Sequence, residues 1–536
     1  MAAPSSTPVL IVGAGPTGLM LACQLARHGV AFRLVDGKSG PTRESRALGV
    51  QARTLELYDT LGIAGEAVSQ GRPTYSANLY VGLQRVQRIP LGDVGQDATP
   101  YPFLLILEQS RNEALLYQTL CASGETVDWG CRLERFEQDA DGVVAVLQPA
   151  GGGRPQQLRA DWLVACDGAR STVREQLGLA FSGGTYEQVF YVADTAVDWP
   201  LPHGELTVCL SHRTFAALFP MPGEHRYRVV GVLPPGYEGN EAGLRFEDIE
   251  AAVRQQMDVP VSFSDTRWFA SYRVHHRCVE RFRSGRCFLA GDAAHVHSPV
   301  GAQGMNTGLQ DACNLAWKLA LVVRRQAPAA LLDSYHEERW PLAQRLLRTT
   351  DAAFRFVVSR EPLMRALRLQ AVPRVLPGLL SLPAVQQRVF RALSQIGLNY
   401  RGRSLAVTLA SAGLQAGDRL PYVRIEPPLA SRAMSVYAWL RPARFNLLLL
   451  QRQSAGLEAE AGQWQAELEA ACPGWFSVHA LPAELGGAGL LAALKVGDRA
   501  VLLVRPDHYI AWLADRFDRP ALRSYLAEML GLLARP

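Results

Sequence analysis

Pro8-Val9-Leu10-Ile11-Val12-Gly13-Ala14-Gly15-Pro16-Thr17-Gly18 decides the fold of this chain. The apolar run Pro8–Val12 reads as a buried parallel strand, and Leu19–His28 beyond the glycines has helical spacing. A second strand, Ala31–Val35, is closed by Asp36. In such a βαβ unit Gly13 permits the tight turn, Gly15 lets a pyrophosphate approach the backbone, and Gly18 lets helix and strand pack closely. Pro16 and Thr17 open the helix, whose N-terminus favours phosphate charge. Asp36, at the end of the next strand, is placed to accept hydrogen bonds from the ribose of an adenosine. Strand, turn, helix and acid in this order predict a dinucleotide site.

The bulk of the chain fits a large enzyme. Its 536 residues predict about two to four domain-sized units. The net charge of +5 is scattered, with lysine only at Lys38, Lys318 and Lys495, and no basic run suits nucleic acid. The nine cysteines form no C-x-x-C pair and no metal spacing, which predicts reduced thiols in a cytoplasmic protein. No apolar stretch approaches the ~20 residues of a membrane span, and Met1–Pro8 does not read as a secretory signal.

Beyond Asp36, helices are predicted around Arg53–Leu61 and Arg111–Ala122, and strands at Val143–Leu147 and Leu158–Ala165. From Val189 to Arg273 the character changes to short strands (Leu206–Leu210, Ala216–Phe219, Tyr227–Leu233, Arg267–Tyr272) separated by Pro/Gly turns, predicting a largely antiparallel sheet. Arg286–Ala290 returns as a buried strand. Long helices follow at Gly304–Arg325 and Asp333–Phe356, then a proline-punctuated helical connector. The last segment reads β-α-β-β-β-α, the order of a thioredoxin-like domain, yet it holds Cys472 alone. A packing or dimerisation role is therefore expected of it rather than redox chemistry.

Two further motifs carry a resemblance. Cys166-Asp167-Gly168-Ala169-Arg170-Ser171 follows a buried strand, and Gly291-Asp292-Ala293-Ala294-His295 runs on to Pro299-Val300-Gly301-Ala302-Gln303-Gly304-Met305-Asn306. With Gly13–Gly18, these resemble the paired signatures of the single-component FAD-dependent aromatic hydroxylases, the p-hydroxybenzoate hydroxylase-like group. The tail suggests the larger phenol and polyketide hydroxylase subgroup. The fold implied is α/β: a Rossmann-type FAD-binding domain (1–188 and, with the connector, 276–398), an inserted substrate sheet (189–275), and a thioredoxin-like domain without redox cysteines (399–536).

The resemblance implies FAD contacts at Gly13, Gly15, Pro16, Thr17, Gly18, Asp36, Arg46, Gln109, Leu133, Asp167, Gly168, Gly291, Asp292, Pro299, Gly301, Gly304, Met305 and Asn306. Asp292 can accept from ribityl hydroxyls, Gln109 reaches the ribityl chain, Arg46 suits a phosphate, and the backbone of Leu133 meets the adenine. Pro299 is similar to the family proline lying between flavin and substrate, whereas Val300 and Ala302 stand where the family often has Pro or Thr and Gly. Phe219, Tyr227, Tyr272 and Arg213 are substrate-pocket candidates. No metal site is expected; His295 and His297 read as core or loop residues.

The implied reaction consumes NAD(P)H and O2 and hydroxylates a phenolic or polycyclic aromatic ring through a C4a-hydroperoxyflavin. The same fold also admits an epoxidase, a Baeyer–Villiger or antibiotic-inactivating monooxygenase, or a flavin-bearing scaffold without turnover. No second glycine-rich unit is present for NAD(P)H, so transient binding is implied. A homodimer is compatible with the sequence.

Overall fold

The computed structural model describes residues 5–42, 47–211, 215–234, 236–237, 243–359, 361–410, 413–425, 434–453 and 456–531. Its first sheet is ordered Arg283–Ser284, Cys287–Leu289, Gln156–Ala165, Ser5–Val12, Phe32–Asp36, Asp128–Trp129, with Cys131–Gln138 and Val143–Pro149 branching from Gln156–Ala165. Ser5–Val12 is parallel to both neighbours, with Val12 beside Ala165 and Val35, and Ala165 in turn lies beside Leu289. Val9–Val12 and Leu163–Ala165 are buried, as strands covered on both faces must be. This register brings the carboxyl ends of three adjacent strands level. Gly13–Gly18, Asp167-Gly168 and Gly291-Asp292 each begin where one of these strands stops. Ligands of open α/β sheets bind outside such ends.

The second sheet runs His295–Val296, Ser262–Val279, Phe181–Asp198, Arg226–Val232, Phe215–Pro220, Leu206–Leu210, Ser76–Val81, Gln84–Pro90. It is wider than the stretch 189–275. Phe181–Asp198 and Ser262–Val279 are 18-residue strands reaching from the first unit into the second, and two strands come from residues 76–90, Ser76–Val81 lying parallel to Leu206–Leu210. On the back face Tyr191, Ala193, Leu218, Tyr227 and Val229 pack with Ile249, Val253 and Met257 of the helix Phe246–Met257. On the front face Phe190, Phe215, Ala217 and Val232 pack with Phe354 of the helix Asp333–Val358. The helix Phe246–Met257 is missing from the sequence reading, although Phe246, Ile249, Val253 and Met257 recur at helical spacing.

The tail sheet is ordered Val407–Thr408, Ile510–Ala514, Arg499–Val504, Phe445–Gln451, Phe476–Pro482. Phe445–Gln451 pairs in parallel with Phe476–Pro482 and antiparallel with Arg499–Val504. A helix, Gly487–Leu494, corrects the predicted β-α-β-β-β-α order to β-α-β-α-β-β-α. Its glycines at 486, 487 and 489 read as a loop, but Leu490, Leu491 and Leu494 are fully buried and tertiary packing overrides the propensity.

Candidate functional site

The three glycines of the first turn have different surroundings. Gly13 has φ +102°, and a Cβ there would lie 2.3 Å from the Cys166 carbonyl oxygen. A Cβ on Gly18 would lie 1.9 Å from the carbonyl oxygen of Gly13, whereas one on Gly15 would meet nothing within 4 Å. Gly13 and Gly18 thus let protein meet protein; Gly15 keeps space open at the N-terminus of the helix Pro16–Arg27. Asp36 holds the turn: its Oδ2 accepts from the Ala14 N–H at 2.7 Å and its Oδ1 from the Lys38 N–H at 2.8 Å. A carboxylate has about four acceptor positions, so capacity is left for ribose hydroxyls. Thr17 packs between the other elements, since Cβ atoms at Gly291 and Gly308 would fall 2.5 and 2.4 Å from its Oγ1.

Opposite this turn, Gly291 has φ +60° and leads into exposed Asp292. The turn is fixed from beneath by Asp311, which is fully buried. Its Oδ2 accepts from the Gly291 N–H at 3.1 Å and lies 2.7 Å from His295 Nε2, while its Oδ1 accepts from Arg339 Nε at 2.7 Å. The Arg339 guanidinium and the His295 ring beside it hold its carboxyl below the usual carboxylate range despite burial. His297 Nε2 lies 2.9 Å from His295 Nδ1, and burial pushes His297 well below the usual imidazole range.

Exposed Pro299 begins the loop that enters the helix Gly304–Val323. Gly301 has φ +79°, and Ala302 has φ +52°, a left-handed conformation that favours glycine. Gly49 makes room for this alanine, because a Cβ at 49 would sit 2.7 Å from that of Ala302. Gln51 Nε2 donates to the Gly301 carbonyl at 2.8 Å. The helix has no side-chain cap to take up its first N–H groups, and a Cβ on Gly304 would meet nothing within 4 Å. Met305 is half-buried, with Asn112 Nδ2 at 3.5 Å from its sulfur. Asn306 is completely buried. Its Oδ1 accepts from the Gln51 N–H and the Thr54 hydroxyl, and its Nδ2 donates to the carbonyls of Gly49 and Ala302. Its side chain ties the helix to the neighbouring loop, leaving its backbone for any ligand.

The third motif supplies a vacant acceptor. Asp167 Oδ2 accepts from the Val173 N–H at 3.3 Å, but the buried Oδ1 has no partner among the described residues. Burial raises this carboxyl. Gly168, at φ +79°, faces open space. Beside it lies a pocket of about 460 Å³ lined by Arg170, Arg174, His275 and Arg277, with Glu175 as its single carboxylate. Arg174 is committed to the carbonyls of Ala293 and Ala169 and to the Phe181 ring. Arg277 reaches Thr185 with one nitrogen while its buried Nε has no partner among the described residues. Sequence reasoning missed this pocket, which draws on residues far apart in the chain.

The Gln109 Oε1 accepts from the Ala47 N–H, and its Nε2 donates to buried Glu113, which also accepts from the Thr42 N–H. Leu133 places its side chain in the core and its backbone in the strand Cys131–Gln138. Arg46 and Arg213 lie outside the described residues. Phe219 and Tyr272 are on the front face of the second sheet, against the apolar clusters there. Tyr227 corrects the sequence expectation: it is buried on the back face, its hydroxyl accepting from the Gly204 N–H and 3.2 Å from His203 Nδ1. Period-2 alternation makes Arg228, not Tyr227, face the front. Among the described residues Asp198, His203 and His225 alone group as metal-ligand types, but the two imidazoles stack with planes 8° apart, so their lone pairs do not converge.

An open glycine turn with an acid behind it, an unpartnered buried carboxylate oxygen and an uncapped helix N-terminus fit a dinucleotide with polar hydroxyls and an anion-forming ring, as FAD is. Residues 6–350 match the family described as FAD binding domain, and residues 414–532 match the aromatic-ring hydroxylase C-terminal family. The chain belongs to the FAD-dependent aromatic-ring hydroxylases. It is similar to 6-methylpretetramide 4-monooxygenase of Streptomyces rimosus, 39% identical over 73% of this chain and 70% of that one. The 12-dehydrotetracycline 5-monooxygenase/anhydrotetracycline 6-monooxygenase of the same species is 34% identical over 94% and 95%. The solved anhydrotetracycline hydroxylase from Streptomyces rimosus superposes with a TM-score of 0.77 at 30% identity, covering 99% of this chain and all of that one. The protein is an FAD-dependent aromatic monooxygenase with NAD(P)H as reductant, and no helix among the described residues is long and apolar enough to cross a membrane.

Proposed function

We propose that this aromatic hydroxylase acts on a polycyclic phenolic substrate held between the front face of the second sheet and the Pro299–Gly304 loop. The observation that carries this is the meeting of all three motifs at the carboxyl end of the first sheet, with the apolar front face bearing Phe219 and Tyr272 beside it. The relatives' names support the polycyclic class.

FAD, when bound, supplies the activation of oxygen, and the protein supplies binding, orientation and charge stabilisation. Asp36 and Gly15 hold the adenosine and pyrophosphate half, Asp292 and Gln109 the ribityl chain, and Asp167 a polar group through its vacant Oδ1. The N–H groups at Gly304–Asn306 stabilise negative charge on the ring. Pro299 separates ring from substrate, and the front-face apolar residues exclude water. NAD(P)H docks its phosphates in the arginine pocket beside Gly168, where Arg170 and Arg277 offer charge-assisted hydrogen bonds. Nine free thiols are in keeping with a reducing, cytoplasmic setting.

The test is to screen phenols and polycyclic aromatics for stimulation of NAD(P)H oxidation by the flavin-loaded protein and to weigh the products. A gain of one oxygen atom on an aromatic ring is expected. Oxygen inserted into a carbon–carbon bond, or no substrate stimulation, rejects the reading.

A further inference from the structure

The segment Pro362–Leu393 comprises the helix Pro362–Ala366, a π turn Leu367–Ala371, the helix Val372–Leu380 and the helix Pro383–Leu393. Its inner side is tied down. Arg368 is buried and donates to the carbonyls of Phe356, Val357 and Ser359, at the end of the helix Asp333–Val358. Leu380 is buried, and Phe390 joins Leu48, Leu91, Leu104 and Met221 in the cluster against which Phe219 packs.

The outer side is unlike the rest of the surface. Leu363, Leu367, Val375, Leu379 and Leu382 are 40–68% exposed and make up five of the eight large apolar side chains exposed among the described residues. The π turn lies between Leu363 and Val375. Because it takes more residues per turn than an α-helix, it winds the later residues back toward the face of the earlier ones. The same segment carries the exposed Arg365, Arg374, Arg388 and Arg391, and residues 362–393 contain no Asp or Glu. Glu361 stands at its start, and the helix Leu91–Gly95, which meets Phe390, carries Asp93.

We propose that this face docks the enzyme on an anionic lipid bilayer, apolar side chains in the interface and arginines against acidic headgroups. An amphipathic helical face that is basic and apolar has the composition of interfacial binding. Charge selects the occupant. In a two-fold dimer this face would meet itself, setting arginines against arginines with no acid within residues 362–393 to pair them, whereas acidic lipids supply the missing partner. Among the described residues no helix spans a bilayer, so the attachment is peripheral and salt-sensitive. The docked segment also roofs the Phe219 cluster, giving an apolar substrate dissolved in lipid a short path to the front face.

The experiment is co-sedimentation of the flavin-loaded full chain with vesicles of phosphatidylcholine alone or with phosphatidylglycerol, at low and high salt, alongside size-exclusion chromatography. Binding is expected only to phosphatidylglycerol vesicles and to weaken in salt. R365E/R374E and, separately, L367S/L379S should each reduce partitioning by roughly tenfold or more, with bound-flavin absorbance unchanged as the control of folding. The proposal is overturned by no binding, by equal binding to neutral vesicles, or by variants that bind as wild type. It is equally overturned if a concentration-dependent dimer is dissolved by L367S/L379S, which would make the face a self-interface.

Discussion

A methyl group added at Gly15 meets no atom within 4 Å, while at Gly18 it meets the Gly13 carbonyl oxygen at 1.9 Å. The backbone at Gly15, φ −81° and ψ −174°, suits alanine. Gly15→Ala should therefore leave the melting temperature of the flavin-free protein unchanged and weaken FAD binding by about tenfold or more, read by titration of flavin fluorescence. Gly18→Ala should instead destabilise the flavin-free protein by about 1–3 kcal/mol, because a backbone oxygen cannot step aside as a side chain can. Equal losses of stability in both variants would refute the assignment of Gly15 to ligand space. At the arginine pocket the expectation separates reductant from flavin. Arg170→Ser combined with Arg277→Ser should raise the KM for NAD(P)H roughly tenfold or more, as lost charge-assisted hydrogen bonds do. Flavin content and the KM for the aromatic should hold. An unchanged KM for NAD(P)H would place its phosphates elsewhere.

At the scale of elements, the Gly304–Val323 helix works because its N-terminal half, through Gly308 and Asp311, is held against the Gly291 turn. Asp311 makes that link with three buried donors around one carboxylate. In Asp311→Asn an amide NH2 must face one of them, breaking a buried pair at a cost of about 3–5 kcal/mol. Chemical denaturation should register that loss together with weaker flavin retention; wild-type stability would refute the role. The link also marks how much the sequence discloses. Gly13–Gly18, Asp167-Gly168 and Gly291-Asp292 are legible because turns and strand ends are written in local residue types. Asp311 and Arg339 are not, since nothing local distinguishes a buried helix aspartate from a solvated one. The side that Tyr227 faces is hidden for a related reason: alternation reveals that a strand has two faces, and only the helix Phe246–Met257 packed behind it shows which one is the back. The helix Gly487–Leu494 was hidden by glycines that its buried leucines overrule.

At the scale of the molecule, the tail is joined to the flavin unit by buried charge and by buried neutral histidines. Glu338 of the helix Asp333–Val358 accepts from Arg505 and from Lys318, and Arg505 also pairs with Asp507. Arg53 donates to the Asp507 carbonyl and Arg419 pairs with Glu56 across the same seam. His28 stacks on Trp475 across it, and His508 packs within the tail against Tyr437, with Arg53 and Arg27 of the flavin unit nearby. Burial, with arginines nearby, pushes both histidines down to about 3, and the neighbouring Arg505 and Lys318 charges hold Glu338 down at about 2 despite its burial. The signs agree. Above pH ~6.5 the histidines are neutral whether folded or unfolded and contribute nothing; as pH falls below that value the unfolded chain takes up protons that the folded chain refuses, so stability declines. Glu338 adds stability above about pH 4.5 that is lost as pH falls toward 2. Acid should therefore loosen the seam. Trp317 donates to Asp507 across it, and because Arg53 and Trp317 lie on the helices Ala52–Leu61 and Gly304–Val323 beside the flavin cradle, flavin should be released with it. Between pH 7 and 4, released-flavin fluorescence should rise together with the loss of near-ultraviolet circular dichroism. His28→Gln with His508→Gln should shift that transition to lower pH, since the amides have no proton to take up. A transition that stays put in the double variant would show that the seam histidines do not set the acid limit.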